Sequence, residues 1–302
     1  MKQAPTGMTV ECEAFGRWLF SERGLATSTV ASYRRSITQI LPALGSDPKR
    51  YSAKIIRSVV KAHAQVHGTA DAKCLVSALR AFLRFQAANG QCSTSLANAV
   101  PTVPHWCLSS LPRYVSASDL ELIVDSCDTT GPVGLRDRAV LALLARLGLR
   151  AKDIVDMLIA DIDWSDATVR VRGKSRREVR LPLPQDAGDA ILSYLERGRP
   201  DIGGTRLFLC ANAPHRPLAG SPTVSSIVSA AVRRAGIVDA PSAGTNMMRH
   251  SAATSMLRAG ASLDAVSTIL RHQSTDTTMH YAKVDVTRLN ALTVPWPEMP
   301  SC

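Results

Sequence analysis

The sequence contains no apolar run approaching the roughly 20 residues that a membrane-crossing helix needs. Its first residues, MKQAPTGMTVECEAF, lack the apolar core and small-residue cleavage pattern of a secretory signal. The expectation is a protein without membrane contact that stays in the cytoplasm where it is made. Cysteine is sparse and scattered: the seven thiols stand at positions 12, 74, 92, 107, 127, 210 and 302, with no CxxC pair and no metal-ligand spacing. An odd, dispersed set excludes a disulfide framework as the organising device and points to reduced, structural thiols; no metal site is expected. Acidic residues are the minority charge, 25 against 36 lysines and arginines, so the formal net charge is +11. A pI near 9.7 implies a polyanionic partner, nucleic acid first among them.

With 302 residues and 45% hydrophobic content, the chain is long enough to bury a sizeable core, and two domains are expected. Apolar residues at helical spacing predict a helix over 9–21 (Val10, Ala14, Phe15, Trp18, Leu19). A second run capped by Thr27 or Ser28 carries Val30, Tyr33, Ile37, Ile40 and Leu41. A third helix is expected near 52–66, after Pro48, and a fourth over 71–88, stopped by Asn89-Gly90. These make a small helical domain at 1–105. The three prolines of VPTVPHWCLSSLP (100–112) read as a linker, set at 106–112, and leave 113–302 as a second domain.

The second domain opens with a helix over 118–127 that Ser118 is placed to cap. A run over 136–147 buries Ala139, Val140, Leu143, Leu144 and Leu147 and stops at Gly148. Arg150 then sits at a corner before a helix over 151–158, with Asp153 three residues on, close enough for its carboxylate to orient the guanidinium. In ATVRVRGKSRREVRLPL, Val169 and Val171 alternate with Arg170 and Arg172. A Gly-Lys-Ser turn follows, and Val179 and Leu181 resume the alternation, so the segment is a hairpin with Lys174 at its tip. Arg170, Arg172, Lys174, Arg176, Arg177 and Arg180 against Asp166 and Glu178 make it the densest positive element, suited to a groove or a phosphate backbone; a charged, aggregation-resistant edge hairpin is the alternative. Arg34 and Arg35 of the first domain are further candidates for the DNA backbone, or for solvated helix surface.

Helices over 186–197 and 221–234 read as scaffold. The stretch 245–281, TNMMRHSAATSMLRAGASLDAVSTILRHQSTDTTMHY, is different. Asn246, Arg249 and His250 share one helix face at i, i+3 and i+4, while Met248, Ala252, Met256 and Leu257 are assigned to the core. Gly260 ends that helix and Ser262 caps another, which leaves Arg271 and His272 at its C-terminal edge. Tyr281 follows after a polar turn.

Five motifs in order, Gly148-Leu149-Arg150, Gly173-Lys174-Ser175, Asn246-Met247-Met248-Arg249-His250, Leu270-Arg271-His272 and Thr277-Thr278-Met279-His280-Tyr281, resemble the tyrosine recombinases, also called phage-type integrases. The resemblance covers most of 113–285. It implies a mainly α fold with a small antiparallel β-sheet: a four-helix core-binding domain followed by an α+β catalytic domain. It also implies a site-specific recombinase acting on double-stranded DNA as a homo-tetramer, aided by accessory DNA-bending or directionality proteins, and needing no metal, ATP or other cofactor. Arg150 and Arg249, helped by His272, would grip the phosphate. Tyr281 would attack to give a 3′-phosphotyrosyl link, Lys174 would protonate the leaving 5′-oxygen, and Asp153 would support Arg150. The tail beyond Tyr281, with Val284, Leu289 and Leu292 before Pro295, would dock on a neighbouring protomer. Two positions depart from the pattern. Asn246 replaces the usual histidine, and an amide donates a hydrogen bond but shuttles no proton, so proton removal from Tyr281 is expected to be slower or to be handled elsewhere. Arg271 replaces a glycine, adding charge and losing backbone freedom. A cleavage-defective DNA-binding relative and a type IB topoisomerase-like relaxing enzyme remain alternative functions.

Overall fold

A computed structural model describes residues 6–103, 112–172, 178–271, 278 and 281. The chain divides into two compact units, Met1–His105 and Trp106–Cys302. The expected linker, the hairpin tip and the C-terminal tail lie outside the described residues or nearly so.

The first unit is helical: α1 (Thr6–Ser21), α2 (Thr27–Leu44), α3 (Ala53–Ala88) and the short α4 (Leu96–Ala99). Phe15 and Leu19 of α1, Ile37 and Leu41 of α2, and Leu75, Leu79, Phe82 and Leu83 of α3 form its core, where Phe15 meets Phe82 edge-on at 5.3 Å. Two separate helices were expected where α3 runs. The backbone is non-helical at Gly68, with φ of 77° and ψ of 176°, so the span is indeed two helices, joined at a kink with no loop between them. Ser52 caps α3 by accepting from the Ile55 amide. At α2 the cap position falls to Ala26 rather than Thr27 or Ser28, both of which lie inside the helix.

The second unit begins with α5 (Ala117–Asp125), α6 (Pro132–Leu147) and α7 (Ala151–Asp156). Ser116, not Ser118, caps α5: its hydroxyl accepts the Asp119 amide at 3.0 Å. Helix α6 is buried on almost every side, residues 139–145 without interruption, because α5, α8 (Gln185–Arg197) and α10 (Thr245–Arg258) surround it. Strands β1 (Ile162–Asp163), β2 (Thr168–Arg172) and β3 (Glu178–Pro182) form an antiparallel sheet in that order. Val169 lies opposite Leu181 and Val171 opposite Val179, which is the alternation expected of the hairpin. The two-residue β1 is too short to carry a period of its own. Helices α9 (Ser221–Arg234) and α11 (Leu263–Leu270) also belong to the unit. The fold is therefore mainly α with a small antiparallel sheet, and among the described residues no helix is long and apolar enough to cross a membrane.

Gly148 decides how closely α6, α10 and α11 approach one another. It ends α6 in the left-handed conformation at φ 56°, where its amide returns to the Leu144 carbonyl at 3.0 Å. A Cβ there would lie 2.5 Å from Leu270 Cδ2. Gly203 provides a comparison, with φ of 70° and nothing within 4 Å of its Cβ position. Gly203→Ala is expected to cost only the left-handed strain, about 1–2 kcal/mol. Gly148→Ala should cost roughly 1–3 kcal/mol more for the overpacking. Chemical denaturation of the two variants measures that difference, and equal losses would mean that the packing at Leu270 yields without cost.

Candidate active site

Two helix ends meet at the site. The last carbonyls of a helix have no partner within it and carry partial negative charge, so they suit a cation. Arg249, near the start of α10, supplies one: its guanidinium donates to the carbonyl of Gly148 at the end of α6 and to that of Leu270 at the end of α11. The side chain is buried, at 7% residue exposure. Burial, together with the charge of Arg150, pulls Arg249 down to about 10. The buried surface of α10 is broader than periodicity indicates, for Met247, Arg249, Ser251 and Thr254 join Met248, Ala252 and Leu257 in the interior. Ser251 anchors the beginning of the unit, where its hydroxyl accepts the Val115 amide at 3.0 Å.

Arg150 immediately follows the α6 corner as the N-cap residue of α7. Its Nη2 donates to the Arg271 carbonyl at 3.2 Å. Asp153 Oδ2 accepts the Arg150 backbone amide at 2.8 Å and also pairs with Arg271 Nη2. The expected carboxylate contact to the Arg150 guanidinium is thus replaced by one to its backbone: at the third helical position the carboxylate folds back on the N-cap amide. The guanidinium is left to reach across to Arg271. Burial, followed by the charge of Arg271, lowers the Arg150 pKa.

Arg271 occupies the position where the resemblance predicts glycine, and its backbone adopts the glycine-like conformation, φ 54° and ψ 51°. Its side chain turns inward. The Arg271–Asp153 pair is nearly closed to solvent, at 7% and 5% side-chain exposure, and Arg271 Nε and Nη1 find no hydrogen-bond partner among the described residues. Arg150 and Arg271 therefore hold each other reciprocally, one through the other's carbonyl and the other through Asp153.

Tyr281 packs among Ala253, Leu257, Val266 and Leu270 at 2% exposure. Its Oη lies 2.8 Å from His250 Nδ1, with the rings 5.5 Å apart. Burial raises the phenol pKa, while the charges of Arg249 and then Arg150 act in the opposite direction, so both guanidinium fields reach the phenol.

Of the residues expected at the site, Arg150, Asp153, Arg249 and Tyr281 are brought together. Asn246 is exposed and its side chain makes no hydrogen bond among the described residues. Lys174, Arg176, Arg177 and His272 lie outside the described residues. Arg170 and Arg172 converge on Asp161, whose side chain is 2% exposed. Arg172 donates to both of its carboxylate oxygens at 2.9 Å, and its Nε also reaches Glu178 at 3.0 Å. Arg34 packs over α1, where a Cβ on Gly16 would meet its Cδ at 2.6 Å, and Arg35 is exposed. Among the described residues neither forms an ion pair, and no group of three or more histidine, cysteine or acidic side chains is placed to hold a metal ion.

Sequence reasoning left three residues without their site roles. Asp161 stands outside the alternating segment that marked the hairpin, so its claim on Arg170 and Arg172 gave no local signal. Arg271 was legible as a departure but not as the partner of Asp153, 118 positions away. His250 was placed on the right helix face, yet its contact with Tyr281 bridges 31 positions.

Residues 113–288 match the phage integrase family. The chain is 38% identical over 297 residues to the putative integrase/recombinase y4rA of Sinorhizobium fredii (strain NBRC 101917 / NGR234), a match covering 97% of this chain and 72% of that protein. It is 29% identical over 301 residues to the tyrosine recombinase XerD of Mycobacterium tuberculosis (strain ATCC 25618 / H37Rv), covering 92% and 94% respectively. Its fold is similar to that of a lambda integrase tetramer bound to a Holliday junction, with a TM-score of 0.68 and 19% identity over 89% of this chain and 78% of that one. With this match across its second unit and a relative aligned along nearly its whole length, the chain belongs to the phage integrase family of tyrosine recombinases.

Proposed function

We propose that the protein cleaves and rejoins double-stranded DNA at specific sites, with Tyr281 as nucleophile and Arg150 and Arg249 as the phosphate grip. The observation that carries this reading is the convergence of a buried phenol and two guanidiniums drawn from three separate segments of one unit. Attack on a phosphodiester builds extra negative charge on the non-bridging oxygens, and preorganised donors stabilise it without reorganising at the moment of reaction. Guanidiniums match phosphate geometry bidentately. Here their orientation is imposed before DNA arrives: Arg249 by two helix-end carbonyls, Arg150 by the Arg271 carbonyl. Asp153 and Arg271 are positioning residues in this scheme.

Tyr281 Oη attacks phosphorus to form the 3′-phosphotyrosyl ester, and the 5′-oxygen leaves with a proton from Lys174. The bond energy stays in the ester, so rejoining needs no external energy source. His272 assists the two arginines at the phosphate. The two compact units divide the work in this reading. The helical unit at 1–105 binds the core of the site through surfaces such as that of Arg34 and Arg35, and the unit from 113 onward carries the chemistry. Four protomers act on two duplexes through a four-way junction, which the likeness to the tetrameric lambda integrase supports. The C-terminal tail docks on a neighbour, and DNA-bending or directionality proteins set the outcome. The place of action is then the bacterial nucleoid.

A pool of nicked suicide duplexes with randomised flanks tests the reading, because the nick lets the cleaved fragment diffuse away and traps the covalent complex. The native protein should yield a denaturant-stable protein–DNA adduct whose DNA can be sequenced. Tyr281→Phe should yield none while still binding the recovered sequence. Salt-sensitive binding with no adduct from the native protein would instead identify a DNA-organising protein, and relaxation of supercoils without joining of partner sites would identify a topoisomerase-like enzyme.

Arg271→Gly separates backbone strain from ion pairing. Glycine removes a left-handed cost of about 1–2 kcal/mol but leaves Asp153 buried without its partner, a loss of about 3–5 kcal/mol. The variant should be less stable by roughly 1–4 kcal/mol in chemical denaturation, the difference between those two estimates. A gain in stability would show that the pair contributes less than the strain it imposes.

A further inference from the structure

We propose that His250 is the proton acceptor for Tyr281, the role that Asn246 cannot fill. The inference rests on the recombinase reading above and identifies the residue that completes its first step. A buried phenol is a weak nucleophile until its proton leaves, and the burial of Tyr281 favours the neutral form. The acceptor must lie within hydrogen-bond reach of Oη and must hold a proton at neutral pH. Asn246 meets neither requirement: it is exposed, its side chain has no hydrogen bond among the described residues, and an amide has no accessible basic site. His250 Nδ1 stands 2.8 Å from Oη, one helical turn beyond Asn246 on α10. With the ring proton on Nε2, Nδ1 accepts from the phenol.

The neighbourhood suits the transfer. His250 follows Arg249 directly, so one turn of α10 carries both the group that receives the proton and a group that grips the phosphate. As Oη bonds to phosphorus, its proton passes to Nδ1. The bond from phosphorus to the 5′-oxygen breaks, and that oxygen takes a proton from the general acid. The charges of Arg249 and Arg150 already reach the phenol that His250 contacts, so the imidazolium forms against like-charge repulsion until a phosphate brings negative charge to the same place. Deprotonation of Tyr281 is thereby coupled to the presence of DNA. In rejoining, the 5′-hydroxyl attacks the phosphotyrosyl ester, and the departing Oη recovers its proton from His250.

The test uses the full chain and a nicked duplex of the sequence trapped by the native protein from the randomised pool. His250→Asn keeps a polar atom near the Nδ1 position but accepts no proton, and it should slow adduct formation about 100-fold. A trifluorotyrosine at position 281, whose phenol ionises without help, should restore most of that loss in the His250→Asn protein and change the His250-containing protein by less than about threefold, since general-base assistance is then no longer required. A purely structural role for His250 predicts no such rescue. His250→Ala, carried through the same pair of nucleophiles, provides a second case if the asparagine variant folds poorly by circular dichroism. Adduct formation within threefold of native in both His250 variants, or loss that fluorination fails to restore in a folded, DNA-binding variant, overturns the proposal. A native protein that forms no adduct with any member of the pool overturns the recombinase reading and this proposal with it.

Discussion

The site depends on holding like charges together before any phosphate is present. Besides burial, the charge of Arg271 lowers the pKa of Arg150, and the charges of Arg150 and Arg271 lower that of Arg249; without counter-charge the three guanidiniums would separate or admit water. Two kinds of negative charge keep them in place. One is the buried carboxylate of Asp153, and the other is the set of unpaired carbonyls at the ends of α6 and α11. The second is economical because those carbonyls need donors in any case, so Arg249 closes two helices and remains a cation pointed at the site. Its attachment to both helix ends also means that α6, α10 and α11 cannot shift independently without disturbing it.

This requirement reaches into the backbone. Both helix ends that feed Arg249 turn into the left-handed region, α6 at Gly148 and α11 at Arg271. At Gly148 the neighbouring Leu270 side chain leaves no room for a Cβ, so glycine satisfies conformation and packing together. At Arg271 the side chain has its own use, since it reaches Asp153 and so ties the end of α11 to the N-cap of α7. The local strain is the lesser effect and the buried pair the greater. A non-glycine residue is accordingly found where backbone geometry alone would favour glycine.

Much of this was legible in the sequence, and the failures have a common cause. Helical periodicity found α1, α2, α6, α8, α9 and α10 because each buries one or more faces against a single core, and period-two alternation found β2 and β3. Caps were displaced by one or two residues: at α5 Ser116 and Ser118 offer equivalent side chains and the chain path selects the first, whereas α2 begins after Ala26 with no side-chain cap at all. The catalytic candidates that stand in compact motifs, Arg150 and Arg249, were readable because the corner or helix that positions each lies in the same few residues. The electrostatic partners were not. Asp153 to Arg271 and His250 to Tyr281 are contacts between distant segments, and no spacing rule relates residues that meet only after the core has formed; Asp161 is near the hairpin arginines in sequence, but β1, the strand that brings it under them, is too short to be read.

The same distinction changes what the net charge of +11 means. Formal charge counts every arginine, but a guanidinium already bound to a buried carboxylate exerts little field at long range and must exchange partners before it grips a phosphate. Arg170 and Arg172 share Asp161, and Arg180 lies within 3.7 Å of Asp163 and Asp166, so three basic residues of the hairpin strands have acidic partners in the protein itself. Such pairing fixes where the strands lie and stiffens the two arms that lead to Lys174. The positive charge of β2 and β3 therefore serves first to position the hairpin. Arg35 on α2 differs: it is exposed and forms no ion pair among the described residues, so its charge is not offset in this way. A densely basic segment can thus owe its arginines to architecture, and only the acidic residue found beneath them distinguishes that role from direct DNA contact.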